Sequence, residues 1–193
     1  MIRNAFVVSV RFTLLTALLL GILYPLAVTG FAHIAMPHKA DGQLIVHDGR
    51  TIGSAILGQS FTSDKYFHSR PSAAGNGYDA TASGGSNLAQ SSQKLVTRIQ
   101  GDIAAAAKEN PTEPVPIDMV TTSGSGLDPD ISPQSALFQV HRVAAARKLS
   151  DDDVRRLVEG HIQKRQWGFM GEPRVNVLAL NLALDELENP AGE

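Results

Sequence analysis

An uncharged apolar run from Phe12 to Ala32 stands near the start of the chain behind Arg3 and Arg11, and beyond it short apolar stretches alternate with long polar ones. In a helix this run rises roughly 30 Å, the thickness of a bilayer hydrocarbon core. It is long enough to cross a membrane. A cleaved signal peptide also has a basic start, but its apolar part is only about 7 to 15 residues and ends in a small-x-small site. Here the run is longer, and Ala27-Val28-Thr29 lies inside it, so an uncleaved anchor is expected. Arg3 and Arg11 precede the run, whereas Lys39 follows with Asp41 beside it. The positive-inside bias then predicts a cytosolic N-terminus over residues 1–11, a transmembrane helix over 12–36 and an extracytoplasmic domain over 37–193.

Within the run, Thr13, Ala17, Gly21, Pro25 and Thr29 recur every fourth residue among leucines. Small side chains on one stripe let a second helix approach closely, so this stripe is the expected docking face for a partner helix. Pro25 should bend the helix.

Past the anchor, Gln43–Val46 and Thr51–Leu57 flank His47-Asp48-Gly49-Arg50, a hairpin signal because Asp and Gly tolerate positive φ. Residues 70–87 are dominated by Gly, Ser, Ala, Asn and Pro and read as a long surface loop. Leu88, Ser92, Leu95, Val96, Ile99 and Ile103 then repeat at helical spacing, predicting an amphipathic helix that stops before Asn110-Pro111. Val115, Ile117 and Met119 alternate as an edge strand would. Ser132 with Pro133 is placed to start a helix that turns Leu137, Val140, Val143 and Ala144 inward. Ser150 and Asp153 form a capping box, with Leu149 and Val154 as a hydrophobic staple, starting a helix over Asp151 to about Lys164. Val175–Leu178 reads as a last strand and Leu180–Leu187 as a short terminal helix. Strands and helices interleave, which predicts one small mixed α/β (α+β) domain behind a single membrane helix.

The full chain of 193 residues leaves room for one core beyond the anchor. A formal net charge of -2 without a long basic run argues against nucleic acid as a partner. With no cysteine there is no disulfide, thiolate nucleophile or cysteine zinc site.

Motifs for chemistry are sparse. Gly75-Asn76-Gly77-Tyr78-Asp79-Ala80 fits the dinucleotide pattern in letters, but neither a strand before it nor a helix after it is expected. Gly84-Gly85-Ser86-Asn87 lacks the lysine of a phosphate-binding loop. The histidines do not form a zinc-protease pair, and Asp151-Asp152-Asp153 is what a helix N-terminus favours electrostatically. No catalytic residue and no metal site is assigned. The most specific polar feature is the loop Ser123-Gly124-Ser125-Gly126-Leu127-Asp128-Pro129-Asp130, which reads as a tight turn or a protein contact. An enzyme would need a cluster assembled from a distance, such as Asp128 with His141 and Arg142.

Several separate stretches, in order, resemble one family. They are Gly53-Ser54, Leu57-Gly58-Gln59-Ser60-Phe61, Tyr66-Phe67 with Arg70-Pro71-Ser72-Ala73, Ser83–Asn87, Ser125–Ser132, Gln139-Val140 with Arg142-Val143-Ala144, and Val175-Asn176-Val177-Leu178 with Leu180–Asp185. Over essentially its whole length the chain resembles the C subunit of the Kdp potassium-transporting ATPase. The resemblance implies a non-catalytic accessory subunit of a bacterial inner-membrane complex, whose partners are a P-type ATPase subunit, a channel-like potassium-binding subunit and a small single-span subunit. Nothing here resembles the phosphorylation loop of the ATPase subunit, so hydrolysis is expected of a partner. The family has been described as a catalytic chaperone raising the ATP affinity of the pump subunit. Gln139 is the position carried over as a nucleotide contact. No cofactor of the chain's own is implied, only ATP through the complex. An exported domain would face no cytosolic ATP, so the coupling is expected to be indirect. An anchored extracytoplasmic binding module or hydrolase is the alternative.

Overall fold

The computed structural model describes residues 2–47 and 49–188, which fall into two compact units, one ending at Ile52 and the other beginning at Gly53. Fold class is as read from sequence, helix and strand mixed behind one long apolar helix.

In the first unit, helix continues through 34 residues, Ile2–Ala35, and buries none of its apolar window. It therefore begins well ahead of the uncharged run. It is built as α1 (Ile2–Leu18), a wide turn at Leu19–Leu23, and α2 (Tyr24–Ala35). Pro25 explains the wide turn: it has no N–H to give, and its ring crowds the carbonyl four residues back. Tyr24 N–H accordingly bonds Leu19 O, five residues back. One short helix, α3 (Pro37–Ala40), follows, and then β1 (Leu44–His47) pairs with β2 (Arg50–Ser54). The predicted hairpin forms, with β2 ending earlier than Leu57; Asp48 lies outside the described residues.

In the second unit, residues 55–92 are irregular apart from one tight turn at Ala80–Ala82, as composition predicts for residues 70–87. Helix α4 (Gln93–Glu109) starts later than expected, and Val96 and Ile103 face outward. The core is assembled from Phe67, β3 (Asp130–Ile131), α5 (Pro133–Phe138), α6 (Val140–Arg147), α7 (Asp151–Gly160), β4 (Val175–Asn176) and α8 (Val177–Glu188). Strands β3 and β4 run antiparallel with Asp130 opposite Asn176 and Ile131 opposite Val175. α7 packs on α5, α6 and α8, burying Val154 and Val158 completely.

The predicted starts at Ser132 and Ser150 both form: Ser132 Oγ accepts from Ser135 N at 3.0 Å, and Ser150 Oγ from Asp153 N at 3.1 Å. The reciprocal half of the box differs, because the Asp153 carboxylate accepts a hydrogen bond from the Ser150 hydroxyl at 2.5 Å rather than from a backbone N–H. An aspartate is one methylene too short for the usual reach.

Four expectations are corrected. Residues 115–119 are not a strand; Ile117–Met119 is a single tight turn. The turn carries Asp118 to the start of α5, where its carboxylate accepts from Ser132 N at 2.7 Å, Ser132 Oγ at 3.0 Å and Ser135 Oγ at 2.5 Å. The helix after Pro133 is broken at Gln139 into α5 and α6. Helix α7 stops at Gly160, not near Lys164. Val177 and Leu178 are the first turn of α8 rather than strand, because Asn176 Oδ1 accepts from Ala179 N at 3.0 Å and caps that helix. Between α7 and β4 lies an unforeseen hairpin, with Gln163 paired to Arg174 and Gln166 to Met170.

Candidate functional site

The densest polar construction in the second unit grips the segment 64–70, a turn at Asp64–Lys65 running into irregular chain, without a sheet. Two buried amides, Gln139 and Asn181, are each 1% exposed. Asn181 Oδ1 accepts from Phe67 N at 2.8 Å while its Nδ2 donates to Phe67 O at 3.0 Å. Gln139 does the same to the next residue: Oε1 accepts from His68 N at 2.8 Å and Nε2 donates to His68 O at 3.1 Å. Each side chain stands where a neighbouring strand would, satisfying both backbone groups of its residue.

Two arginines of α6 complete the grip. Arg142 donates to Asp64 O at 2.7 Å, Tyr66 O at 3.0 Å and Gln139 Oε1 at 2.7 Å, and pairs with Glu109 at 2.9 Å. Arg147 donates to Lys65 O at 2.6 Å and Asp185 at 2.7 Å, and its guanidinium stacks 4.7 Å from the Tyr66 ring centroid. Both arginines belong to α6 and reach carbonyls of the same segment, Arg142 those of Asp64 and Tyr66 and Arg147 that of Lys65. Buried charges with this many partners fix a geometry; removing one partner typically costs about 3–5 kcal/mol. His68 belongs to the same knot: Nε2 donates to Ser63 O at 3.0 Å, and burial, reinforced by Arg142, pushes the imidazole below its ordinary 6.5.

What the grip positions is Arg70, which pairs with Asp128 at 3.0 Å. Sequence reasoning found no cation within the Ser123–Asp130 loop; the fold supplies one from 58 residues away. The loop itself is stapled down. Ser72 Oγ donates to Gly126 O at 2.6 Å, Gly84 N to Ser125 O at 2.8 Å, Gly58 N to Leu127 O at 2.8 Å, and Val177 N to Pro129 O at 3.0 Å. Ser125 Oγ accepts from Leu127 N at 3.1 Å. Ser123 is buried, whereas Gly124 is exposed. Gly126 sits at φ 69°, where an added Cβ would meet Ala74 N and Gly84 O at 2.7 Å, so both the conformation and the space call for glycine.

Beside Asp128 opens a cleft of about 390 Å³ lined by Arg70, Asp118, Asp128, Asp130, Glu172 and Arg174 among others. Its charges are largely matched internally: Arg70 with Asp128, and Arg174 with Asp130 at 3.0 Å. Burial raises the Asp130 carboxyl above its ordinary value although Arg174 pulls the other way. Among the described residues no group of three or more His, Cys, Asp or Glu is placed to hold a metal ion.

The structure does not assemble Asp128, His141 and Arg142. Asp128 faces Arg70, His141 pairs on the surface with Asp151 at 3.0 Å, and Arg142 serves Glu109 and the 64–66 carbonyls. Gln139 is in the grip, its amide spent on His68, Arg142 and Ser135 O, the last at 3.2 Å. In the first unit, the wide turn changes the stripe. At ~100° per residue a straight helix would set Thr13 and Thr29 about 160° apart, and the one residue absorbed by the turn reduces this to roughly 60°. Pro25 thus draws the small-residue positions toward one side. Gly21 lies within the turn with open space where a Cβ would project.

The sequence between residues 6 and 186 matches the family described as "K+-transporting ATPase, c chain". The chain is 54% identical over 183 residues to the potassium-transporting ATPase KdpC subunit of Koribacter versatilis, covering 95% of each chain. It is 52% identical to the KdpC subunit of Methylorubrum extorquens, covering 96% of each, and 55% identical to that of Caulobacter vibrioides, covering 89% of this chain and 87% of the relative. These matches take in the apolar helix, the gripped segment and the Ser-Gly-Asp-Pro loop alike, and the chain belongs to the KdpC family, the c chain of K+-transporting ATPases.

Proposed function

We propose that this chain is the single-span, non-catalytic subunit of an ATP-driven potassium uptake complex and that it works by assembly. Helices α1 and α2 cross the inner membrane with the N-terminus in the cytosol. The Thr13, Ala17, Gly21, Pro25 and Thr29 side docks on a membrane helix of a sister subunit. The second unit, exported, braces the channel-like subunit from outside, and the P-type subunit performs hydrolysis. The single observation that carries this reading is the family match running through the helix and the domain together. The rigid grip on residues 64–70 supports a bracing role, since a brace needs a surface whose shape does not relax.

The ATP-affinity role is assigned to the complex. Gln139 has no amide group left for a nucleotide without releasing His68, Arg142 or Ser135 O, which favours an indirect route through the docked anchor. Affinity purification of this chain from native membranes in mild detergent tests the proposal. Recovery of a P-type ATPase and a channel-like subunit with potassium-stimulated hydrolysis is expected. Recovery of the chain alone would overturn the proposal in favour of an anchored binding module or hydrolase.

A further inference from the structure

The hairpin between α7 and β4 ends in a tip that the fold itself does not use. Gln166 and Met170 exchange both backbone bonds at 2.9 Å, closing the three-residue loop Trp167-Gly168-Phe169. Trp167 is 82% exposed and Phe169 71% exposed, with their ring centroids 6.5 Å apart. Met170 beside them is exposed too. Trp167 also occupies the left-handed region at φ 51°, where Gly or Asn is favoured and a bulky side chain is disfavoured. A solvated, strained tryptophan contributes nothing to the core. It is the chain's sole tryptophan.

The flanks of the tip are basic. Residues 163–174 carry Lys164, Arg165 and Arg174 against the single carboxylate Glu172, in a chain whose net charge is negative. Arg165 and Glu172 pair at 2.5 Å across the hairpin. Exposed Trp and Phe backed by Lys and Arg is the chemistry of the membrane interface, where aromatic rings settle at headgroup level and cations meet lipid phosphates. A projecting tip needs no complementary pocket in lipid. Only residues 36–52 separate the end of α2 from the second unit, so the tether holds the tip at high effective concentration over a bilayer.

We infer that the Trp167-Gly168-Phe169 hairpin tip is a second membrane contact that inserts among anionic lipid headgroups. The inference rests on the proposed span of α1 and α2. Arg165 is matched by Glu172 and Arg174 by Asp130, so Lys164 supplies the net charge, and at about 1 kcal/mol per cation it favours the inserted state on anionic over zwitterionic lipid by roughly 5-fold.

The full chain, reconstituted alone into vesicles of phosphatidylcholine with or without phosphatidylglycerol, tests this through its only tryptophan. Brominated acyl chains should quench Trp167, with a blue-shifted emission, and more strongly in anionic vesicles. Phe169→Ser and Lys164→Gln, both at exposed positions, should each weaken the quenching while the melting temperature holds. Failure of the chain to float with vesicles would refute the span and the inference with it. Flotation with water-like, unquenched emission would refute the tip contact alone. In the intact complex, a photo-crosslinker at position 167 that captured a sister subunit rather than lipid would also overturn it.

Discussion

Replacing Gln139 by methionine asks how much the grip on residues 64–70 is worth. Methionine is nearly isosteric, so packing is kept while the amide is lost. In the substituted chain His68 N–H and O, Ser135 O and one N–H of Arg142 lose their partner. Arg142 retains its other acceptors and His68 is only half-buried, so the cost lies below the sum of four fully buried deletions at about 1–3 kcal/mol each. Roughly 3 kcal/mol is expected, a large share of a domain stability of about 5–15 kcal/mol. For a domain of this size that corresponds to a fall of roughly 6–12 °C in melting temperature. The assay is thermal unfolding of the full chain in mild detergent followed by circular dichroism. Gln134→Met, on the exposed side of α5, serves as the control and should change stability by no more than about 0.5 kcal/mol. A Gln139→Met melting temperature within about 2 °C of the parent, no more than an exposed substitution produces, would refute the reasoning.

Gly126→Ala should destabilise the second unit by at least about 1–3 kcal/mol, since it adds left-handed strain to contacts at 2.7 Å with Ala74 and Gly84; chemical denaturation reads this, and an unchanged midpoint would contradict the turn geometry. Because the folded His68 imidazole titrates below its ordinary 6.5, the unfolded chain takes up the proton first as pH falls. Its stabilising contribution is therefore present above about pH 6.5 and lost as pH drops through the folded value, and melts between about pH 7.5 and 5 should show a decline that His68→Gln flattens. Gly21→Leu should weaken co-purification of the sister subunits by obstructing close helix approach at the wide turn, and unchanged recovery would count against the docking stripe.

What could be read from sequence was local. The long apolar helix, the starts at Ser132 and Ser150, and the irregular stretch after Arg70 are each specified by neighbouring residues. The failures were places where a distant partner decides. Alternation at 115–119 suggested a strand, but Asp118 is drawn to the hydroxyls of Ser132 and Ser135 and the chain turns instead. The apolar run Val175–Leu178 suggests strand throughout, but only Val175 and Asn176 pair as strand, and Asn176 then caps the helix that begins at Val177. The grip was not legible at all, because Gln139 meets His68 across 71 positions and Asn181 meets Phe67 across 114. No periodicity records that separation. Arg70 was likewise absent from the reading of the Ser123–Asp130 loop for want of any local sign.

Reconstitution of the channel-like and P-type subunits with and without this chain tests the central claim most directly, with potassium-stimulated ATP hydrolysis and its ATP dependence as readouts. The account predicts that the two subunits associate and hydrolyse ATP well only when the chain is present, and that the chain alone shows no turnover. Full assembly and unchanged ATP dependence without it would contradict the account.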